Sequence, residues 1–315
     1  MTPIRFIFAS IVASFGTSAC ALFSSAQPSA GPPNTDIYIA DLSTIGERLW
    51  IGELHPVATT ARYENQPFFT NDGQSLIYTA AGPSGKTDLW QRTLTSGETR
   101  QLTRSPNMSE YSPRISSDGA TLTFIQEDET GEITELYSQA TSGGSGTPVL
   151  ALKPLGYYAF FVNDPRVITF LRADTPSLVL TDPDTGETQT IASNIGRALY
   201  AADDGNSAYF TTATTDENFE VQQYNVQTGE TRAVFPLPVG VQDYAAFVIP
   251  GTTLTAFFAA SGTNLQFRLD HPESTEWITI ADLSGPEFTD ITRIAVNKTA
   301  TRIALVTETK ADSEG

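Results

Sequence analysis

One sequence unit recurs through the chain: a short β-forming run, a tight turn and a second β-forming run, roughly every 46 residues. The clearest copies span residues 65–80 and 111–126, and each has an Asp-Gly pair at its turn. Asp-Gly accepts the positive φ that a tight hairpin requires. A period of this length, with several strands per unit, is typical of propeller blades. The six turn positions are Gly73, Gly119, Pro165, Gly205, Gly251 and Thr299.

A second hairpin follows each of the first five copies and supplies the outer strands of the predicted blades. These hairpins span residues 87–103, 134–150, 176–192, 219–235 and 264–280. The sixth copy has no hairpin after it, and the missing member lies at the other end of the chain, in residues 35–54. We therefore expect strands near 292–309 to pair with strands near 36–53 inside one blade, which removes free sheet edges.

The repeats predict an all-β fold: a six-bladed β-propeller of four-stranded antiparallel blades, closed by N- and C-terminal strands that share one blade. A single domain is expected over residues 35–310, followed by a disordered tail at residues 311–315. At Pro165 and at Lys298-Thr299 the Asp-Gly chemistry is lost, so the sixth copy must use a different turn. The chain has one cysteine, so packing and strand pairing, not a disulfide, must hold the fold.

The repeat resembles the WD40-like PD40 repeat of TolB-type propellers. The first copy carries the pattern as Pro67, Asp72-Gly73, Asp88-Leu89-Trp90 and Leu102-Thr103. The second copy carries it as Pro113, Asp118-Gly119, Glu135-Leu136-Tyr137 and Leu150. The resemblance implies six four-stranded blades around a channel. It also implies a periplasmic protein that binds protein or envelope partners, or a propeller of the kind appended to peptidases.

The N-terminal residues have the pattern of an export signal over residues 1–26, with Arg5 before the apolar run at 6–15. Two processing routes remain open. Small residues at 24–26 suit ordinary cleavage, whereas Thr17-Ser18-Ala19-Cys20 resembles a lipoprotein signal that ends before a lipidated Cys20. A Pro/Ser-rich linker at residues 27–34 follows. We expect a periplasmic protein, either soluble or lipid-anchored to the outer membrane.

The charge balance narrows the range of partners. Lys and Arg total 18 against 36 Asp and Glu, which gives a net charge of −18. A nucleic-acid partner is not expected, because binding a phosphate backbone needs clustered cations. No later apolar run is long enough for a membrane span, so membrane attachment is expected only through Cys20. We expect a monomer that binds a protein or envelope polymer.

The sequence offers no convincing catalytic set. The only histidines, His55 and His271, fall in different blades, and no G-x-S-x-G motif occurs. We therefore predict no catalytic residue, no cofactor and no metal site. The alternative is a propeller hydrolase or lactonase, possibly calcium-dependent, that uses channel carboxylates as ligands or acid/base groups. Its candidates are Glu64, Glu110, Asp243 and Asp290.

The repeat register predicts where a partner binds, because equivalent positions of the blades form rings around the axis. The positions nine and eight residues before each turn position mix carboxylates, Tyr, Asn and Arg, which suits a peptide or glycan. A ring that is merely solvated is the alternative. The position four residues before is apolar in every copy and is expected to pack between blades. The predicted binding residues are Glu64, Asn65, Glu110, Tyr111, Tyr157, Arg197, Asp243 and Asp290.

Overall fold

The computed structural model describes residues 33–45, 48–215, 217–285 and 288–308. Every regular element in these residues is a β-strand. The described part of the chain therefore contains no helix that could cross a membrane. The predicted export signal, the lipidation site Cys20, residues 27–32 of the linker and the tail at 311–315 lie outside the described residues.

Five sheets each consist of four consecutive antiparallel strands, ordered from the innermost strand outwards. Blade 1 contains β4 (Glu64–Phe69), β5 (Ser75–Ala81), β6 (Thr87–Thr93) and β7 (Thr99–Gln101). Blade 2 contains β8 (Ser109–Ile115), β9 (Thr121–Glu127), β10 (Thr134–Ala140) and β11 (Thr147–Pro148). Blade 3 contains β12 (Leu155–Phe160), β13 (Val167–Leu171), β14 (Ser177–Thr181) and β15 (Thr188–Ser193). Blade 4 contains β16 (Ile195–Ala201), β17 (Ser207–Ala213), β18 (Phe219–Asn225) and β19 (Thr231–Pro236). Blade 5 contains β20 (Tyr244–Val248), β21 (Thr255–Ser261), β22 (Asn264–Leu269) and β23 (Ile278–Asp282).

The sixth blade combines both ends of the described chain, as predicted. It contains β24 (Ile291–Val296), β25 (Arg302–Glu308), β1 (Thr35–Ile45), β2 (Arg48–Ile51) and β3 (His55–Ala58). β1 pairs antiparallel with β25, with Tyr38 opposite Leu305. β3 is an addition to the predicted four strands. β1 is 11 residues long, so β3 pairs with its first half and β2 with its second.

The innermost hairpins use the predicted turn chemistry where the sequence supplies it. Gly73 has φ 66° and Gly119 has φ 76°, conformations that cost glycine little. The turn at Lys298-Thr299 is built differently, as expected. The side-chain Oδ1 of Asn297 accepts the N–H groups of Thr301 and Arg302, and Ala300 takes φ 48°. An Asn side chain thus replaces the missing Asp-Gly pair.

Apolar packing lies between the blades. Six clusters of buried side chains occur in the described residues, one for each pair of neighbouring blades. In β25, Ile303 and Leu305 face blade 5, whereas Ala304 and Val306 face blade 1. A middle strand is thus covered on both faces, which explains why it is a continuous apolar run with no polar alternation.

Blades 1 to 3 are also joined by polar contacts that begin at two β-bulges. Gln66 and Ser112 both have φ 54°, both precede a proline, and both lie at register shifts of their innermost strands. The Ser112 N–H donates to Oε1 of Gln66 at 2.7 Å, and the Tyr158 hydroxyl donates to the Ser112 carbonyl at 3.0 Å. A bulge re-aims a strand's side chains. Here the bulges bring the Gln66 side chain of blade 1 to the backbone of blade 2, and the Ser112 carbonyl of blade 2 to Tyr158 of blade 3.

Shortening a buried side chain of β1 tests how much the closing strand stabilises the propeller. Ile37 is fully buried against blade 1, so we expect Ile37→Ala to lower the free energy of unfolding by about 2–5 kcal/mol. The matched control is Ile278→Ala in the outermost strand of blade 5, where the side chain is 59% exposed and the expected change is within about 0.5 kcal/mol. Denaturant unfolding measures both. Equal losses would contradict the packed closing strand.

Candidate functional site

Arg293, in the innermost strand of blade 6, lies at the centre of the propeller. Its side chain is 14% exposed and forms an ion pair with Asp243 of blade 5, with 3.5 Å between Nη1 and Oδ2. Its Nε donates to Oδ1 of Asn65 in blade 1 at 3.0 Å, and its Nη2 donates to the Tyr157 hydroxyl of blade 3 at 3.4 Å. One guanidinium therefore links four blades.

Blade 4 reaches the same strand from another direction. The Arg197 Nη2 donates to the carbonyl of Thr292, and the Tyr200 hydroxyl donates to the carbonyl of Ile294, each at 3.4 Å. The Nε of Arg197 has no hydrogen-bond partner among the described residues. We call Arg293 with Asn65, Tyr157, Arg197 and Asp243 the axial cluster.

The charges of the axial cluster depend on one another. Burial raises the pKa of the Asp243 carboxyl, while the Arg293 and Arg197 guanidinium groups act in the opposite direction. Burial by itself would lower the pKa of Arg293, but Asp243 and the surrounding tyrosine hydroxyls hold that pKa above its ordinary value. Arg293 is therefore cationic, and removal of either partner would leave a buried charge.

A cavity lies on each side of Arg293. The strand-start mouth, a cavity of about 390 Å³, opens where the innermost strands begin. It is lined by Arg197, Val239, Gln242, Asp243, Asp290, Arg293 and Glu308, among others. The turn-side cavity, of about 290 Å³, opens towards the hairpin turns. Its walls include Phe68, Phe69, Arg114, Tyr157, Tyr200, Asp203, Phe247, Arg293 and Lys298.

Several of the predicted binding residues come together in the structure. Asn65, Tyr157 and Asp243 all contact Arg293. Arg197, Asp243 and Asp290 line the strand-start mouth, and Asp290 is exposed. Tyr111 lies edge-on to Tyr63, with 6.4 Å between the ring centroids.

Glu64 and Glu110 lie elsewhere, buried within hydrogen-bond networks. Glu110 is fully buried and accepts hydrogen bonds from the Thr103 hydroxyl at 3.1 Å and from Nε2 of Gln126 at 3.0 Å. Glu64 accepts the N–H and the hydroxyl of Thr60. Burial raises the pKa of both carboxyls. Successive side chains of a strand point to opposite faces. The residues nine and eight positions before a turn are neighbours in the strand, so they cannot both point towards the axis of the propeller.

The apolar ring four residues before each turn position has two roles. Phe69, Phe161 and Phe247 are buried between blades. Phe69 and Phe247 also line the turn-side cavity, together with Ala201 and Ala295. The ring therefore combines the predicted packing with an apolar wall of the channel.

Sequence reasoning missed Arg114 and Arg293. Counting back from the turn positions gives Ile291 for blade 6, because it takes no account of the register shift between Ile291 and Arg293. The signal that could have found both is a lone arginine inside an innermost strand. Arg114 and Arg293 each precede an isoleucine in such a strand. Arginine is seldom found at such partly enclosed positions, so its presence there is itself informative.

Carboxylates and histidines do not gather into a metal centre in the part of the chain that the structure describes. No group of three His, Cys, Asp or Glu side chains there has the arrangement needed to hold a metal ion. Glu64, Glu110, Asp243 and Asp290 lie in separate environments. The calcium alternative assigns these four as ligands or acid/base groups.

The fold and the site define a six-bladed β-propeller in which one largely buried arginine links four blades. No protein-family model and no curated protein matches the chain. Solved propellers do resemble it. A protein described as TolB from Agrobacterium tumefaciens superposes with a TM-score of 0.65 at 16% identity, over 89% of this chain and 100% of that one.

TolB from Acinetobacter baumannii gives a TM-score of 0.56 at 14% identity, over 88% of this chain and 64% of that one. A puromycin-hydrolysing peptidase from Mycobacterium tuberculosis gives 0.52 at 13% identity, over 83% of this chain and 49% of that one. At these identities the similarity shows the fold alone.

Removing Arg293 tests the axial cluster. Arg293→Met leaves the Asp243 carboxylate buried without its partner, and we expect it to lower the free energy of unfolding by about 3–5 kcal/mol at neutral pH. Arg293→Met combined with Asp243→Asn should recover part of that loss. The matched control is Arg232→Met, which breaks an ion pair whose arginine is 50% exposed and should cost about 0–1 kcal/mol.

The loss caused by Arg293→Met should depend on pH. The pKa of Asp243 is raised in the folded protein, so folding favours its protonated form and the stability that it contributes falls as the pH rises. Without Arg293 that pKa rises further. The deficit relative to wild type should be largest at neutral pH and shrink as the pH falls towards 4. Unfolding curves across this range measure it, and a deficit independent of pH would contradict the buried ion pair.

Proposed function

We propose that the protein is a non-catalytic TolB-like propeller that binds a protein or cell-envelope partner at the strand-start mouth. The observation that carries this proposal is the composition of that mouth. Val239 is 74% exposed beside a cavity that presents the half-buried Arg197 and the exposed Asp290 and Glu308. An exposed apolar side chain among charges of both signs is suited to a polypeptide or glycan surface.

The proposed location is the periplasm, either in soluble form or anchored to the outer membrane through Cys20. Two observations support it: the export-signal pattern of the N-terminal residues and the structural resemblance to TolB propellers. The acidic composition disfavours nucleic acid as the partner. A monomer is consistent with a ring that is closed within one chain.

The alternative is a hydrolase or lactonase. We retain it because the fold also resembles that of a puromycin-hydrolysing peptidase. That reading needs carboxylates that can reach a substrate or a cation. Glu110 instead bonds Thr103 and Gln126, and Asp243 bonds Arg293. These contacts favour a binding role, because general acid/base groups must reach the reacting atoms.

Substitutions at the mouth test the binding role. We expect a variant with Arg197→Gln, Val239→Ser and Asp290→Asn to lose a partner that the wild-type protein recovers from an envelope extract. The control variant, Asp184→Asn with Ile278→Ser, changes exposed outer positions and should retain the partner. The partner, identified by mass spectrometry and purified, should bind the mouth variant at least about tenfold more weakly. Equal recovery by both variants would refute the proposed face.

Calcium separates the two functional readings. After chelation, we expect millimolar Ca²⁺ to leave the thermal midpoint unchanged, because the channel carboxylates do not form a ligand group. A cation that binds only the folded state would raise the midpoint by mass action. Differential scanning calorimetry with and without Ca²⁺ measures this, with Mg²⁺ as the control for ionic strength. A rise specific to Ca²⁺ would favour the enzyme reading.

A further inference from the structure

We propose that the turn-side cavity binds an organic carboxylate. The carboxylate group of the ligand contacts the guanidinium groups of Arg114 and Arg293, and its apolar part packs against Phe68, Phe69 and Phe247. This site lies at the opposite end of the channel from the strand-start mouth, so it is a second site and does not rest on the function proposed there.

The charge of the cavity is the first observation. Its lining contains three cations, Arg114, Arg293 and Lys298, and one carboxylate, Asp203. The protein as a whole carries a net charge of −18. A cationic cavity in so acidic a protein selects anions, because the low-dielectric walls of a cleft focus its local field.

Arg114 has hydrogen-bonding capacity to spare. A guanidinium has five N–H donors, and Nη1 of Arg114 donates to the carbonyl of its sequence neighbour Pro113 at 2.9 Å. Its Cζ lies 5.2 Å from the centroid of the Phe68 ring. In the described part of the chain no carboxylate lies within ion-pair distance of Arg114. A half-buried arginine without a carboxylate partner favours an incoming one.

The backbone holds Arg114 in place. It follows the bulge at Ser112, whose φ of 54° is rare for a residue other than glycine. Two contacts fix that bulge: the Ser112 N–H donates to Gln66, and the Ser112 carbonyl accepts from Tyr158. Unusual backbone held by surrounding structure is a feature of binding sites, because it presents a side chain in one orientation.

Arg293 forms the floor of the cavity. Its Nε donates to Asn65 and its Nη1 pairs with Asp243, whereas the 3.4 Å contact from Nη2 to the Tyr157 hydroxyl is long for a charge-assisted bond and leaves that nitrogen the most available to a ligand. A second carboxylate here would complement a channel centre that holds Arg114, Arg197 and Arg293 against Asp243. The tyrosine hydroxyl can donate to the same anion.

The walls define the rest of the ligand. The cavity of about 290 Å³ is near the lower end of the range for small-molecule sites, and five aromatic side chains are among the residues that line it. Inorganic phosphate would leave these rings without contact. A carboxylate next to an aromatic or branched apolar group fits both parts, and that chemistry occurs in free aromatic acids and in the C-terminal residue of a peptide.

Calorimetric titration of the purified chain with three probes tests the site. The probes are N-acetyl-phenylalanine, its neutral amide, and an acetylated Ala-Ala-Phe peptide with a free C-terminus. We expect the acid to bind at least about tenfold more tightly than the amide, because only the acid forms charge-assisted bonds. If the peptide binds more tightly than the single residue, the ligand is a chain terminus; if more weakly, it is a free acid. Both results support a carboxylate site.

A matched pair of variants assigns the binding to Arg114. Arg114→Gln should weaken binding of the acid at least about tenfold, whereas Arg92→Gln, in the third strand of blade 1, should leave it unchanged. The acid–amide comparison in wild type remains decisive if Arg114→Gln folds poorly. Equal affinities for acid and amide, no binding of any probe, or unchanged binding by folded Arg114→Gln would each overturn the proposal.

Discussion

The pairing of β1 with β25 is the constraint on which the rest of the structure depends. Each blade covers only part of its apolar surface by itself, and the six interblade clusters are complete only when blade 6 touches both blade 5 and blade 1. Seven residue pairs, from Thr35 opposite Glu308 to Asp41 opposite Arg302, make that contact without a covalent link. Equivalent residues of the six blades surround one axis only because this pairing closes the propeller.

Closure of the propeller brings side chains that are distant in sequence to one axis, where a buried charge requires partners. Arg293 can be buried because Asp243, Asn65 and Tyr157 reach it from three other blades. Arg293 also lines two cavities of different character. One is a polar mouth at the strand starts, and the other is an aromatic and cationic cavity at the turns. A single residue thus links the blades and contributes to both surfaces on which partners could bind.

Much of the fold could be predicted, because propeller blades repeat a local pattern that survives divergence. The Asp-Gly turns at Gly73 and Gly119 set the period, and the missing outer hairpin showed where the ring closes. The site was harder. Equivalent repeat positions placed Asn65, Tyr157 and Asp243 around one axis. Counting residues back from the turn did not identify Arg293, because the register of its strand shifts between Ile291 and Arg293. Burial of Glu64 and Glu110 depends on Thr60, Thr103 and Gln126, which no repeat pattern brings to notice.

The shared blade also sets an order of events for a newly made chain. Among the strands of the described residues β1 is made first and β25 last, so β1 has no neighbour on that side until β25 has been synthesised. Contacts between distant segments form slowly, because loop closure costs conformational entropy before they are made. Blades 1 to 5 can assemble early from local hairpins, whereas the ring closes only once β25 is available to pair with β1. Until then an apolar strand with a free edge is exposed to other chains, and this interval is when the protein is most vulnerable to aggregation.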